Sequence, residues 1–292
     1  MFAKKLSIYA FAVPCANITC VKRINFRRML IICLSIYVLL CIGCASFQRR
    51  LIYFPPVLTP AQVDENARLE NLERWTNSSG QPIGMKRLSP KQPADGQVMV
   101  VYGNGSCATG SARFANQIQS VAAFDVFILE YPGYADRPGK PSQKNFFKAA
   151  DEAFKSLPAG KPTYLLGESL GTGVAAFLAG TYSNRVAGVV LFAPYNRLTD
   201  VGQYHAPVLP VRLILVDRYP SQDFLRTYHG PVGMLVAGAD NVVPQKFGHR
   251  LYDAYDGPKH IWEFPADNHW SVTERSPDFW KEVLDFWNAH PQ

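Results

Sequence analysis

The chain has 292 residues, 48% hydrophobic and 18% charged, enough apolar material for one large domain or two small ones. Its formal net charge of +7 is unevenly placed. Residues 1–44 hold six basic side chains and no acid, leaving 24 basic against 23 acidic residues in 45–292. A body so close to neutral has no electrostatic footprint for a phosphate backbone, which excludes nucleic acid as a partner.

Arg27 and Arg28 precede fourteen uncharged residues, 29–42, which lead into Cys41-Ile42-Gly43-Cys44. A basic flank, an apolar core of that length and a small residue form a secretory signal. The ending resembles a bacterial lipoprotein box, with Cys41 where the box prefers Leu. That resemblance implies cleavage after Gly43, lipidation of Cys44 and a place on the cell envelope. An uncleaved anchor competes with it, because residues 29–48 are twenty uncharged residues, close to the ~20 that a spanning helix needs. A buried N-terminal helix is the third reading. Residues 1–21 lengthen the signal beyond the usual ~15–30 residues and suggest a true start further downstream. The first two readings put the body at a membrane surface, and the chain divides into a signal or anchor, 1–44, and a body, 45–292.

In the body, residues 73–88 carry a Ser-Ser-Gly-Gln-Pro turn between two extended runs, as an antiparallel edge hairpin would. Strand-like apolar runs follow at 97–102, 125–130, 162–167, 186–192, 232–237 and 260–264. Between them lie helical patterns at 112–124, at 143–157 (Phe147, Ala150, Phe154 and Leu157 on one stripe), at 174–182, at 245–255 and at 279–287. Runs that are continuously apolar belong to strands covered on both faces, so the sheet is mainly parallel with helices on either side. Strands alternating with helices predict one doubly wound α/β layer. Residues 194–230 are too long for a plain connection, and their prolines and apolar residues 207–216 suggest a small lid.

Gly167-Glu168-Ser169-Leu170-Gly171 lies between the strand at 162–167 and the helix that follows. A strand-to-helix turn this sharp needs small neighbours, and it exposes the serine oxygen above the sheet as a nucleophile elbow. A serine hydroxyl becomes a useful nucleophile when a histidine takes its proton and a carboxylate orients that histidine. Among six histidines, His269 follows the last strand at its C-terminal end, where parallel-sheet sites gather. Asp240 follows the strand 232–237 in the same way. Asp267 is too close to His269 in sequence to face its ring, and Asp217 and Asp223 fit surface ion pairs in the lid. The oxyanion needs two N–H donors; Leu170 supplies one, and the loop Gly103-Asn104-Gly105 after the strand 97–102 places the other at Asn104. Cys107, the body's one cysteine, cannot form an intrachain disulfide there and reads as packing beside that loop. No Cys or His pair has metal-ligand spacing, so neither metal nor cofactor is expected.

On these residues the chain resembles the α/β-hydrolase superfamily, and within it the membrane-associated abhydrolase-domain serine hydrolases. The likeness spans about residues 50–290: Arg50-Leu51-Ile52-Tyr53-Phe54-Pro55, Tyr102-Gly103-Asn104-Gly105-Ser106, Glu130-Tyr131-Pro132-Gly133-Tyr134, the elbow, Gly238-Ala239-Asp240-Asn241-Val242-Val243-Pro244 and Asp267-Asn268-His269-Trp270. It implies an α/β-hydrolase fold with a small lid, the order Ser169, Asp240, His269, and a loop in which Tyr131 and Tyr134 help frame the site. Tyr102 stands where relatives carry His. Thr172 replaces the extra Gly of serine aminopeptidases, which argues against a peptidase. The expected activity is hydrolysis of an ester or thioester in a small-molecule or acylated substrate. An amidase or peptidase of the same fold, or a silent binding protein that keeps the fold, are the alternatives.

Overall fold

The computed structural model describes residues 25–292; residues 1–24, with the expectations that fall on them, lie outside it. Helix α1 (Phe26–Ile52) forms from an apolar stretch without proline and ends in Arg49 and Arg50, basic side chains that suit the negative end of a helix. By length and composition α1 is apolar enough to cross a membrane, a property shared by membrane-associated proteins and signal sequences. It runs unbroken past Cys44. A compact unit begins at Cys41 and extends to Gln292.

After α2 (Pro60–Leu69), which starts with a Thr59–Gln62 capping box, come β1 (Glu73–Thr76), β2 (Pro82–Arg87) and β3 (Gly96–Val101). Then follow α3 (Ala112–Gln119), β4 (Phe124–Leu129), α4 (Gln143–Lys155), β5 (Thr163–Glu168), α5 (Leu170–Thr181) and β6 (Val186–Phe192). The stretch that reads as a lid holds α6 (Leu198–His205), α7 (Val211–Ile214) and α8 (Ser221–Phe224). The chain closes with β7 (Val232–Ala237), α9 (Lys246–Ala254), β8 (Lys259–Phe264) and α10 (Pro277–Asn288).

The eight strands form one sheet in the order β1-β2-β4-β3-β5-β6-β7-β8. From β4 to β8 every pairing is parallel, and the β1–β2 hairpin joins antiparallel at one edge. All residues of β3, β4 and β7 are buried, as continuous apolar runs require. Phe114 of α3 and Phe279 and Trp280 of α10 pack around Phe192 of β6. Phe147 of α4, Phe177 of α5 and Phe224 of α8 form a second aromatic cluster. Helix α8 therefore packs on the body, which leaves α6 and α7 with their connections as the part of that stretch we term the cap.

Three local expectations shift. The helix predicted over 112–124 ends at Gln119, because Phe124 pairs with Gly96 as the first residue of β4. Helix α4 buries Phe146, Ala149, Ala150, Ala153 and Phe154, with Phe147 turned to a different neighbour, so its apolar face is wider than one stripe. Asp217 is buried rather than part of a surface pair: it accepts from Arg49 Nε (3.1 Å) and from the Tyr53 hydroxyl (3.0 Å).

Candidate active site

The C-terminal ends of the parallel strands β5, β7 and β8 bring the site together. Ser169 follows β5 with φ 49° and ψ −116°, a backbone state that a side-chain-bearing residue adopts only under constraint. Its N–H donates to Phe192 O (2.8 Å), and its carbonyl accepts from the Thr172 N–H (2.9 Å) and hydroxyl (2.7 Å). The turn is too tight for side chains on either flank. A Cβ on Gly171 would lie 2.0 Å from Val101 O, and one on Gly167 would lie 2.9 Å from the Ala175 Cβ.

His269, in the loop after β8, places Nε2 3.0 Å from Ser169 Oγ and Nδ1 2.7 Å from Asp240 Oδ2. All three side chains are buried. The other carboxylate oxygen of Asp240 accepts from the N–H groups of Val242 (2.8 Å) and Val243 (2.7 Å), which lock its orientation. With the carboxylate on Nδ1, the ring proton belongs there, and Nε2 is left to accept from the serine. Asp267 turns away to Arg275 and the Ser271 hydroxyl. His205, on α6, bonds Val242 O (2.9 Å) at the rim of the same cavity.

Leu170 is the first residue of α5, so its N–H has no acceptor within the helix. Asn104 sits in the turn after β3, with its side chain fully engaged. Its Oδ1 accepts from Phe54 N (2.9 Å) and the Tyr134 hydroxyl (2.7 Å), while its amide donates to Ile52 O. Tyr131 bonds the same segment, its hydroxyl donating to Tyr102 O (3.0 Å). Two supports of this loop are not read from sequence. Glu168 accepts from Gly103 N (3.2 Å) and from Arg113 Nη2 (2.7 Å). Glu130, buried beneath the loop, accepts from the Tyr102 hydroxyl and from Ala108 N (3.0 Å). Burial pushes the Glu130 carboxyl up to about 7 against those two donors, and burial beside Glu130 pushes the Tyr102 hydroxyl well above its usual value. Cys107 Sγ is buried against the Thr109 hydroxyl (3.4 Å), with no base as its partner.

A cavity of about 530 Å³ opens over Ser169, within the size range of small-molecule sites. Its lining is mostly aliphatic, from Leu170, Val201, Leu209, Ile214 and Val243, with Tyr195 at the base. Among the described residues, no group of three His, Cys, Asp or Glu side chains is placed to hold a metal ion.

A strained serine after a central parallel strand thus meets a carboxylate that follows β7 and a histidine that follows β8. The family model described as alpha/beta hydrolase fold matches residues 98–219. An uncharacterized protein of Mycobacterium tuberculosis is 32% identical over 233 residues, covering 77% of this chain and 81% of its own length. This chain belongs to the α/β-hydrolase family. The lysophosphatidylserine lipase ABHD12 of Danio rerio is 25% identical over 281 residues, covering 78% of this chain and 72% of that protein. Among solved structures, the monoacylglycerol lipase of Paleococcus ferrophilus superposes with a TM-score of 0.53 at 20% identity, over 75% of this chain and 98% of that one.

Proposed function

We propose that the protein is a serine hydrolase that cleaves a carboxylic ester or thioester through an acyl-enzyme. The observation that carries this reading is the hydrogen-bonded line from Ser169 through His269 to Asp240, with Ser169 in the lining of an aliphatic cavity. Ser169 Oγ attacks the carbonyl carbon as its proton passes to His269 Nε2. The carbonyl oxygen takes the negative charge and is held by the N–H groups of Leu170 and Asn104. Collapse of that intermediate expels the alcohol or thiol, which takes the proton from His269. Water, deprotonated by the same ring, then attacks the acyl-enzyme, releasing the acid and restoring the serine. The lipase named among the relatives supports an acyl ester as substrate. No step calls for a cofactor.

A fluorophosphonate probe should label Ser169, and Ser169→Ala should abolish labelling. Asp240→Asn and His269→Ala should each lower turnover by about 10⁴-fold with the fold intact by circular dichroism. Labelling that survives Ser169→Ala, or full turnover in either partner variant, overturns the assignment. The membrane attachment runs through α1, either as a spanning helix or through a lipidated Cys44 after cleavage behind Gly43. The intact mass of the membrane-bound protein separates the two: a mature chain beginning at a diacylated Cys44 is the lipoprotein, and Cys44 still joined to Gly43 leaves the spanning helix.

A further inference from the structure

The cavity over Ser169 is not walled by the body's strands and loops alone. Cys44, Gln48, Leu51 and Ile52 line it from α1. Their spacing of four, three and one residues puts them on one helix face. Leu209 and Ile214 of the cap line it as well. The α1 wall is fastened at both ends. On the cap side, Gln48 is buried and clamps the backbone at the end of α7 and just beyond it: its oxygen accepts from Val216 N (2.7 Å) and its amide donates to Ile214 O (3.2 Å). One residue on, Arg49 pairs with Asp217, and Tyr53 bonds both Asp217 and the Tyr219 hydroxyl (2.9 Å). On the catalytic side, the Asn104 amide grips the backbone of Ile52 and Phe54.

With Gln48 committed to the cap, this wall presents hydrocarbon and a thiol to the cavity. Such a surface gains by burying alkyl groups, at about 0.8 kcal/mol per methylene, and offers nothing to a sugar or a charged headgroup. Residues 44–52 remain on the chain whether or not it is cleaved behind Gly43; diacylation would replace the Cys44 thiol by a thioether, and Gln48, Leu51 and Ile52 are the part of the wall common to both forms.

We propose that the cavity is the acyl-chain site for a long, unbranched alkyl ester, and that the Cys44–Leu51 face of α1 sets how long a chain is accepted. This rests on the serine-hydrolase reading above. Each added methylene is stabilised along α1 until the chain meets the side chain at the far end of the wall. Filling the wall then shortens the accepted chain.

The test is the ratio of kcat/KM for p-nitrophenyl palmitate to that for p-nitrophenyl acetate, on the full chain in detergent micelles. Rates are normalised to the fraction of protein labelled by fluorophosphonate, so a misfolded population drops out. Wild type should favour the long ester. Cys44→Trp and Leu51→Trp should each lower the ratio at least tenfold; the second leaves Cys44 in place and is independent of its modification. A ratio unchanged in both variants, or a wild type with no preference for the long ester while Ser169 still labels, overturns the acyl-wall proposal and leaves the hydrolase reading standing. A wild type that cleaves no ester of any length and does not label overturns both.

Discussion

Glu130 makes the residue scale measurable. Its carboxyl sits at about 7 in the fold against an ordinary 4.5, so the folded chain holds this proton more tightly than the unfolded chain. The stabilisation is fully present below about 4.5 and is lost as pH rises through 7, at about 1.4 kcal/mol per unit of difference and so a few kcal/mol at most. The thermal midpoint should therefore fall between pH 5 and 8, and Glu130→Gln should flatten that slope, since the amide keeps an acceptor for Ala108 N and the Tyr102 hydroxyl can accept in turn. A slope unaltered in Glu130→Gln would place the titration elsewhere. Glu168 acts on the same loop as a positioning residue. Glu168→Ala should lower kcat by about tenfold with little change in KM, less than the 10²–10³ for loss of a donor outright, and Glu168→Gln should recover much of it. Equal losses in the two variants would point to a general packing defect. Ser169 and Asp240 are legible in the sequence because each follows a strand that announces itself as an apolar run, and His269 because it lies in the loop after the last strand. Glu168 and Glu130 are not, since their partners lie 65 and 22 residues away and no spacing signals them.

At the scale of elements, the central strands are legible because burial on both faces leaves an unbroken apolar run, and β3 through β7 read this way. The division of residues 194–230 is not. Local composition marks the prolines, but the packing of Phe224 on Phe147 and Phe177 is what assigns α8 to the body. Asp217 was equally opaque, since a charged residue in a loop gives no local sign that it will be buried under Tyr53 and Arg49. Removing it takes away the charged acceptor of the Tyr53 hydroxyl and leaves the Tyr219 hydroxyl as its partner. Arg49 is half exposed, so the ion pair itself contributes little. Asp217→Ala should cost about 1–2 kcal/mol, lowering the thermal midpoint by ~3–6 °C, and should speed proteolytic cutting in residues 206–216. Arg49→Ala should do markedly less on both measures. The reverse ranking would mean that the ion pair, not the buried hydrogen bonds, holds the cap.

On the scale of the whole molecule, α1 carries two features that the sequence shows as one. Its apolarity is plain in the residues, whereas the fastening of its last turns to Asn104 and Asp217 spans 52 and 168 residues of chain and is visible only in three dimensions. A chain starting at Ala45 keeps Gln48 through Phe54; with a body close to neutral, it should leave the membrane fraction and retain ester turnover. A chain starting at Phe54 should be equally soluble, yet at least tenfold slower on acetate esters, because Asn104 has lost its hold on Ile52. Equal turnover in the two chains would show that α1 does not support the catalytic loop. Shedding and silencing then become a single event: a protease that cut between Ile52 and Phe54 would free the body into solution and slacken its catalytic loop at once. A cut ahead of Gln48 would instead release a body that keeps its fastening, so the place of the cut decides whether the freed domain still works.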